Sequence, residues 1–250
     1  MIPSVVELEP AYVLESRPYK ESSVIAKLLT LHFGIVSLLA KGIKSSNSAT
    51  KSLLQTFCPV TVSWRGRSEL KNLTAIEASP HKQGQSRSDL KGDHLYAGLY
   101  ANELLVKLVP YGEQYGALFA FYNDLIGCFY DNKALAPCLR KFEWHLICEL
   151  GYGLNMETDI DTGELIESDK RYCLAGVDGF VQTDIATPNA GLFKGEELLA
   201  IRDGNYACEA GVTAKKLFRY VIAHYLGGRP LKSRELYIRM REIKNAKSNQ

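Results

Sequence analysis

The sequence lacks the features that would mark it as a membrane, secreted or motif-bearing catalytic protein. It contains no run of about 18 apolar residues, the length that a helix needs to cross a bilayer. Its first ten residues, MIPSVVELEP, lack the basic start and long apolar core of a secretory signal. None of the six cysteines forms a C-x-x-C pair, and neither G-x-S-x-G nor H-E-x-x-H occurs. We therefore expect a cytoplasmic protein with reduced thiols, no membrane span and no cofactor.

Acidic residues are absent from a long stretch near the N-terminus. Residues 22–68 contain six lysines and arginines but no aspartate or glutamate. Residues 229–250 carry seven basic and two acidic residues, a net charge of +5. Residues 81–228 carry 14 basic and 20 acidic residues, a net charge of −6, so the overall +2 conceals a strong segregation. Charge distributed in this way indicates charged partners rather than a particular fold.

The first 80 residues predict a β-domain. Five short stretches rich in Val, Ile, Leu and Thr are separated by turn-forming residues. The HFG step between the second and third stretches predicts a hairpin with Gly34 at its turn. Five short antiparallel strands suit an OB-fold barrel, and a flat sheet backed by later helices is the alternative. The predicted strands are 11–16, 23–31, 34–40, 56–64 and 69–78.

The pattern changes after a polar joint at 79–93. Leucines and aromatic residues then recur at helical spacing, which predicts a mainly helical domain. Residues 151–192 lose this periodicity and predict an irregular lobe with a short hairpin near 173–181. We therefore predict an α+β protein with an OB-fold domain at 1–80 and a helical domain at 81–250. The predicted helices are 95–108, 118–129, 139–150, 195–202, 213–227 with Thr213 as N-cap, and 233–244 with Ser233 as N-cap.

The segment AKGIKSSNSATKS, residues 40–52, joins two of the predicted strands. A phosphate-cradling P-loop requires G-x-x-x-x-G-K-[ST], but Gly42 stands alone here and Lys44 follows Ile43, so a nucleotide site is disfavoured. Lysines and hydroxyl side chains also suit a nucleic-acid backbone. Trp64, beside Arg65, is a candidate base-stacking surface. The alternative is a solvated loop with Trp64 in the core.

A second basic pair lies in the helical region. LRKFEWHL, residues 139–146, places Arg140 and Lys141 on a helix that is otherwise rich in core residues. Such a pair is usually the solvated edge of a helix. A basic residue beside an apolar groove can also bind an acidic peptide that ends in an aromatic residue.

Several segments together resemble one protein family. They are AYVLESRPYKESSVIAKLLTLHFGIVSLLAKGIKSS, LLQTFCPVTVSWRGRSELKNL, LYAGLYANELL, ALAPCLRKFEWHLICELGYGLN and YLGGRPLKSREL. In this order they resemble RecO, the bacterial recombination mediator and strand-annealing family, over about residues 8–240. The resemblance implies an N-terminal OB-fold, a helical domain and a non-catalytic role at the nucleoid.

The resemblance also implies partners and sites. Such proteins bind single- and double-stranded DNA and the acidic C-terminal tail of single-stranded DNA-binding protein (SSB). With RecR they help load RecA onto SSB-coated DNA. The motif matches imply tail binding by Arg140 and the neighbouring Lys141. They imply DNA binding by Lys41, Lys44, Lys51, Arg65, Arg67, Lys71, Arg229, Lys232 and Arg234.

The chain departs from the family pattern in one respect. Many RecO proteins carry four zinc-binding cysteines after the GYG segment, but here that region contains only Cys173, so we expect no metal site. Two other function classes stay open at this point. One is a metal-dependent DNA-modifying enzyme, and the other is a protein-interaction scaffold whose basic surface binds acidic partners.

Overall fold

A computed structural model describes residues 2–43, 49–79, 90–185 and 191–248. They form two compact units, one of residues 1–131 with 231–250 and one of residues 132–230, so the units do not divide at residue 80. The elements are β1 (Val5–Tyr19), β2 (Ser23–Thr30), β3 (Gly34–Ala40), α1 (Ala49–Leu53), β4 (Pro59–Arg65), β5 (Leu70–Ala78), α2 (Gly92–Leu108), α3 (Gly116–Tyr130), α4 (Leu135–Glu149), β6 (Asn155–Asp159), β7 (Arg171–Ala175), β8 (Gly179–Gln182), β9 (Leu192–Lys194), α5 (Gly195–Arg202), α6 (Cys208–Tyr225) and α7 (Lys232–Ser248).

The first unit is built on a closed barrel with the strand order β1-β2-β3-β5-β4. Neighbouring strands are antiparallel except β3 and β5, which run parallel, and β1 closes the barrel by pairing with both β2 and β4. The predicted five-stranded, OB-like barrel is thus confirmed. The predicted hairpin is also present, since Thr30 pairs with Gly34 and Gly34 adopts a φ of 62°.

Strand β1 is much longer than the predicted 11–16 because it serves two partners. Its register shifts between Val6 and Glu9 against β4 and between Val13 and Glu15 against β2. Such bulges bend a strand and increase its twist, which helps one strand to cross from one neighbour to the other. They also interrupt the alternation of apolar and polar residues from which a strand is predicted.

Alternate side chains of the strands fill the barrel. Val60, Val62 and Trp64 point inward from β4 and are almost completely buried, together with Val13 of β1 and Leu28 of β2. Since successive side chains of a strand point to opposite faces, the residues between them lie on the outer surface.

Helices α2 and α3 belong to the same unit as the barrel. The buried amide of Asn102 donates to the Leu14 carbonyl of β1 at 2.8 Å and accepts the Tyr122 hydroxyl at 2.6 Å. The Tyr12 hydroxyl of β1 donates to Asn123 at 2.7 Å. These bonds satisfy polar groups that would otherwise be costly to bury, so they fix the two helices on the outer face of β1.

Helix α7 packs against α2 and takes its N-terminal cap from it. The Glu103 carboxylate accepts the backbone N–H of Lys232 at 3.0 Å and both the N–H and the hydroxyl of Ser233 at 2.8 and 2.6 Å. It also pairs with Lys107 at 2.8 Å. The prediction that Ser233 caps the helix is therefore wrong. The helix begins at Lys232, Ser233 donates its hydrogen bonds, and the oxygens that accept them belong to Glu103.

The second unit contains α4, α5, α6 and a four-stranded sheet with the order β6-β8-β7-β9. The β7–β8 pair is the hairpin predicted near 173–181, but the surrounding lobe is more regular than predicted, because β6 and β9 extend it into a sheet. Helix α6 begins at Cys208 rather than at the predicted cap Thr213. The Thr213 hydroxyl lies within the helix and donates to Glu197 at 2.7 Å. Within the described ranges, no helix is both long and apolar enough to span a bilayer.

Candidate nucleic-acid interface

Lys41 lies at a groove on the barrel, directly after β3. The groove has a volume of about 210 Å³ and is lined by Lys41, by Thr50 of α1 and by residues 73–76 of β5, together with neighbouring residues of the β3 end. Lys41 itself is exposed, whereas Ile43 is buried and anchors the chain to the barrel core. This arrangement holds the backbone of the segment while leaving the Lys41 ammonium in solvent.

Of the two other predicted DNA contacts in this segment, the structure describes Lys51 but not Lys44. Lys44 lies outside the described residues. Lys51 is exposed on α1 and follows Thr50, which lines the groove. The short helix α1 is the main feature that the sequence pattern did not predict in this segment.

Arg65 ends β4 and Arg67 lies in the turn between β4 and β5, and both are exposed. Arg65 pairs with Asn72 of the neighbouring strand β5, and Asn72 pairs on its other side with Leu39 of β3, two residues before Lys41. Arg65 and the Lys41 segment therefore lie on either side of β5. No ion pair within the described part of the chain engages Lys41, Lys51, Arg65 or Arg67.

Lys71 and Trp64 differ from their predicted roles. Lys71 is only 3% exposed, and its ammonium donates to the carbonyls of Gly66 at 3.1 Å and Ser68 at 3.4 Å. It stabilises the turn that carries Arg67 and is not available to a phosphate in this conformation. Trp64 is fully buried in the barrel and packs edge-to-face against Phe33, so it cannot stack on a base, and its interpretation as a stacking surface is wrong.

The predicted contacts near the C-terminus fall in both units. Arg229, in the second unit, is exposed, and its Nε donates to the Leu226 carbonyl at 2.9 Å. Lys232 and Arg234 belong to the first unit, in the first turn of α7. Lys232 is exposed and Arg234 is half-buried.

A second set of cations, which the sequence did not predict, lies on the barrel in the hairpin between β1 and β2. Arg17 and Lys20 are exposed there, and the Lys20 ammonium lies 5.4 Å from the centre of the Tyr19 ring. The flanking acids Glu15 and Glu21 keep this hairpin out of the acid-free window 22–68. Pairing of the predicted strands in space, rather than charge along the sequence, was the signal that could have found it.

Arg140 and Lys141 occupy different environments on α4. Arg140 is 7% exposed, and its Nη2 donates to Glu143 at 3.0 Å. Tyr206 lies near this pair. The burial of the Tyr206 hydroxyl, and to a smaller extent the charges of Cys148 and Glu143, raise the pKa of Tyr206 to about 12. Lys141 is exposed. Of the two predicted tail contacts, Lys141 is the one that meets solvent, while Arg140 is held inside the second unit.

The acidic segment 156–164 has a structural role in the sheet of the second unit. The buried Asp159 carboxylate accepts the backbone N–H groups of Asp161, Thr162 and Gln182 at 2.8, 3.1 and 2.6 Å. Burial alone would raise the pKa of Asp159, but these hydrogen bonds lower it below its usual value. Among the residues that the structure describes, no group of three or more His, Cys, Asp or Glu side chains could hold a metal ion.

The amino-acid sequence matches one family of known proteins over most of its length. Residues 6–80 match the family model for the recombination protein O N terminal region, and residues 90–202 match that for its C terminal region. A DNA repair protein RecO of Cellvibrio japonicus is 36% identical over 93% of this chain and 97% of its own length. One from Pseudomonas aeruginosa is 36% identical over 96% of this chain and 98% of its own length. One from Nitrosococcus oceani is 36% identical over 96% of both chains.

Proposed function

The chain belongs to the RecO family of DNA repair proteins, and we propose that it acts as a non-catalytic recombination mediator on chromosomal DNA in the cytoplasm. In this role it binds single- and double-stranded DNA and anneals complementary strands. With RecR it helps to load RecA onto single-stranded DNA that is coated with SSB.

The observation that carries this proposal is the set of exposed cations around β5. Lys41, Arg65 and Arg67 face solvent on a barrel whose strand order matches a nucleic-acid-binding fold, and no ion pair among the described residues engages them. Each cation that meets a phosphate releases condensed counterions, so binding of this kind gains most of its free energy from salt release and carries little sequence preference.

Annealing follows from the same electrostatics. Two complementary strands repel each other through their phosphates, and a surface that neutralises phosphates on both strands lowers that repulsion. The barrel therefore acts by concentrating and shielding the strands, while base pairing between them supplies the specificity.

We propose that the second unit binds the acidic SSB tail near α4. Lys141 provides an exposed ammonium for a carboxylate, whereas Arg140 would have to exchange Glu143 for the tail carboxylate. A charge-assisted contact of this type is short-ranged and needs a partner held at a fixed position. The tail contact keeps the protein on coated DNA, where SSB is displaced locally and RecR and RecA can follow.

The experiment that tests the proposed function is annealing of complementary oligonucleotides coated with cognate SSB, with and without the protein. We expect a marked acceleration by the native protein and none by a Lys41→Glu/Arg65→Glu variant, because the variant reverses the charge on both sides of β5. An unaccelerated reaction with native protein would refute the annealing role. Magnesium-dependent cleavage of the labelled strand in the same assay would instead indicate a DNA-modifying enzyme.

A further inference from the structure

The hairpin between β1 and β2 lies directly beside the segment that carries Lys41. Val24 pairs with Ala40, and the backbone N–H of Ile43 donates to the Ser22 carbonyl at 2.8 Å. Tyr19 pairs with Ser23, the residue before Val24. The tip of the hairpin and the groove segment 40–43 are therefore connected through their backbones, and they form one corner of the barrel.

The strand register places three side chains of this corner on the same outer face. Ala40 and Val24 face the barrel core, so Lys41, the next residue along β3, faces outward. On β1, Arg17 pairs with Ile25 and Tyr19 with Ser23, and both alternate with Pro18, the partner of the inward Val24. Arg17, Tyr19 and Lys41 thus share one outer face of the barrel.

Tyr19 is one of two exposed aromatic residues in the described chain, and its surroundings differ from those of the other. It keeps 37% of its surface exposed, with Lys20 over its ring and Arg17 two residues away. Tyr111 is similarly exposed at 38%, but its hydroxyl donates to the Glu69 carbonyl, and among the described residues no lysine or arginine lies over its ring. A ring among cations is the combination with which proteins hold single strands: the bases stack and the phosphates are neutralised.

We propose that Tyr19 is a base-stacking subsite for single-stranded nucleic acid, with Arg17, Lys20 and Lys41 as the surrounding phosphate contacts. This inference rests on the proposed DNA-binding function and adds the residue that distinguishes single strands from duplexes. In a duplex the base faces are covered by their neighbours and cannot reach a ring. Once two strands have paired, the stacking contact is lost, so the subsite holds the substrate of annealing more tightly than its product.

The test compares Tyr19→Ala and Tyr19→Phe with the native protein, and Tyr111→Ala serves as the control of equal exposure. Binding is measured at one fixed salt concentration to a single-stranded oligonucleotide, to the matched duplex, and to an abasic oligonucleotide of the same length. We expect Tyr19→Ala to weaken binding to the single strand by between about 5- and 150-fold, the range for loss of one stacked base. Its affinity for the duplex and for the abasic strand should stay within about twofold of native, and Tyr19→Phe should bind the single strand like the native protein.

Two results would overturn the inference. One is unchanged single-strand affinity in Tyr19→Ala, and the other is an equal loss on the single strand, the duplex and the abasic strand, which would indicate a change of fold or charge rather than lost stacking. Failure of the native protein to bind any of the three would instead refute the proposed function itself. The two failures are therefore distinguishable in one experiment.

Discussion

Replacing Glu103 by glutamine should loosen the start of α7, the turn that carries Lys232 and Arg234. The Glu103 carboxylate accepts three hydrogen bonds from Lys232 and Ser233 and pairs with Lys107. Burial would raise its pKa, but the hydrogen bonds from Lys107, Ser233 and Lys232 outweigh burial and lower the pKa from 4.5 to about 2. An amide oxygen can still accept from an N–H, so Glu103→Gln removes the charge while it keeps the shape of the side chain.

The magnitude follows from linkage between protonation and folding. Because the pKa of Glu103 is lower in the folded protein than in the unfolded chain, its charged form stabilises the fold above pH 4.5. A lowering to about 2 corresponds to about 3 kcal/mol at neutral pH, which solvent screening of this partly exposed group reduces to about 1–2 kcal/mol. The stabilisation should fade as the pH falls from about 4.5 to about 2, where the carboxylate becomes protonated in both states.

Urea unfolding of native protein and of Glu103→Gln measures this difference directly. We expect Glu103→Gln to lose about 1–2 kcal/mol at neutral pH and the two proteins to converge only at about pH 2, with faster amide hydrogen exchange in the first turn of α7. Glu242→Gln, which changes an exposed glutamate of α7, is the control and should leave stability unchanged. A loss at neutral pH that persists undiminished in acid would refute the role of the charge.

Two further predictions concern basic residues that differ in burial. Lys71→Met should lower the free energy of unfolding by about 1–3 kcal/mol, because two carbonyls lose a buried donor. Arg67→Met should leave the free energy of unfolding unchanged and lower the salt dependence of DNA binding. Unfolding and DNA-binding titrations of both variants separate the two effects. Arg140→Ala should destabilise the second unit by about 3–5 kcal/mol because it removes the cationic partner of the buried Glu143. Lys141→Ala should weaken SSB-tail binding without loss of stability; equal stability losses would contradict this assignment.

The barrel was predictable because its signals are local. Alternating apolar residues, glycine at a turn and short strands identify five elements, and the five-stranded count suggests closure. The full length of β1 was not predictable, since its two bulges arise only when the strand has both β2 and β4 as neighbours. The sheet around β6 and β9 was missed for a similar reason: its pairings join segments that are distant in sequence and too short to show a period.

The candidate site was predictable as a region but not residue by residue. Lys41, Arg65 and Arg67 of the acid-free stretch 22–68 are exposed, and their contact with DNA stays a prediction. The burial of Trp64 could have been predicted from the sequence, because Trp64 follows Val60 and Val62 at a spacing of two and therefore shares their inward face. The burial of Lys71 could not have been predicted, because it depends on the positions of two turn carbonyls that no sequence pattern indicates.

The most direct test of the electrostatic account is the salt dependence of single-stranded DNA binding. If about six lysines and arginines contact phosphates, log affinity should fall with log salt concentration at a slope of about −4 for the native protein. Lys41→Gln/Arg65→Gln/Arg67→Gln removes three of these contacts and should bring the slope to about −2. An unchanged slope in the triple variant, or a slope near zero in the native protein, would contradict the account.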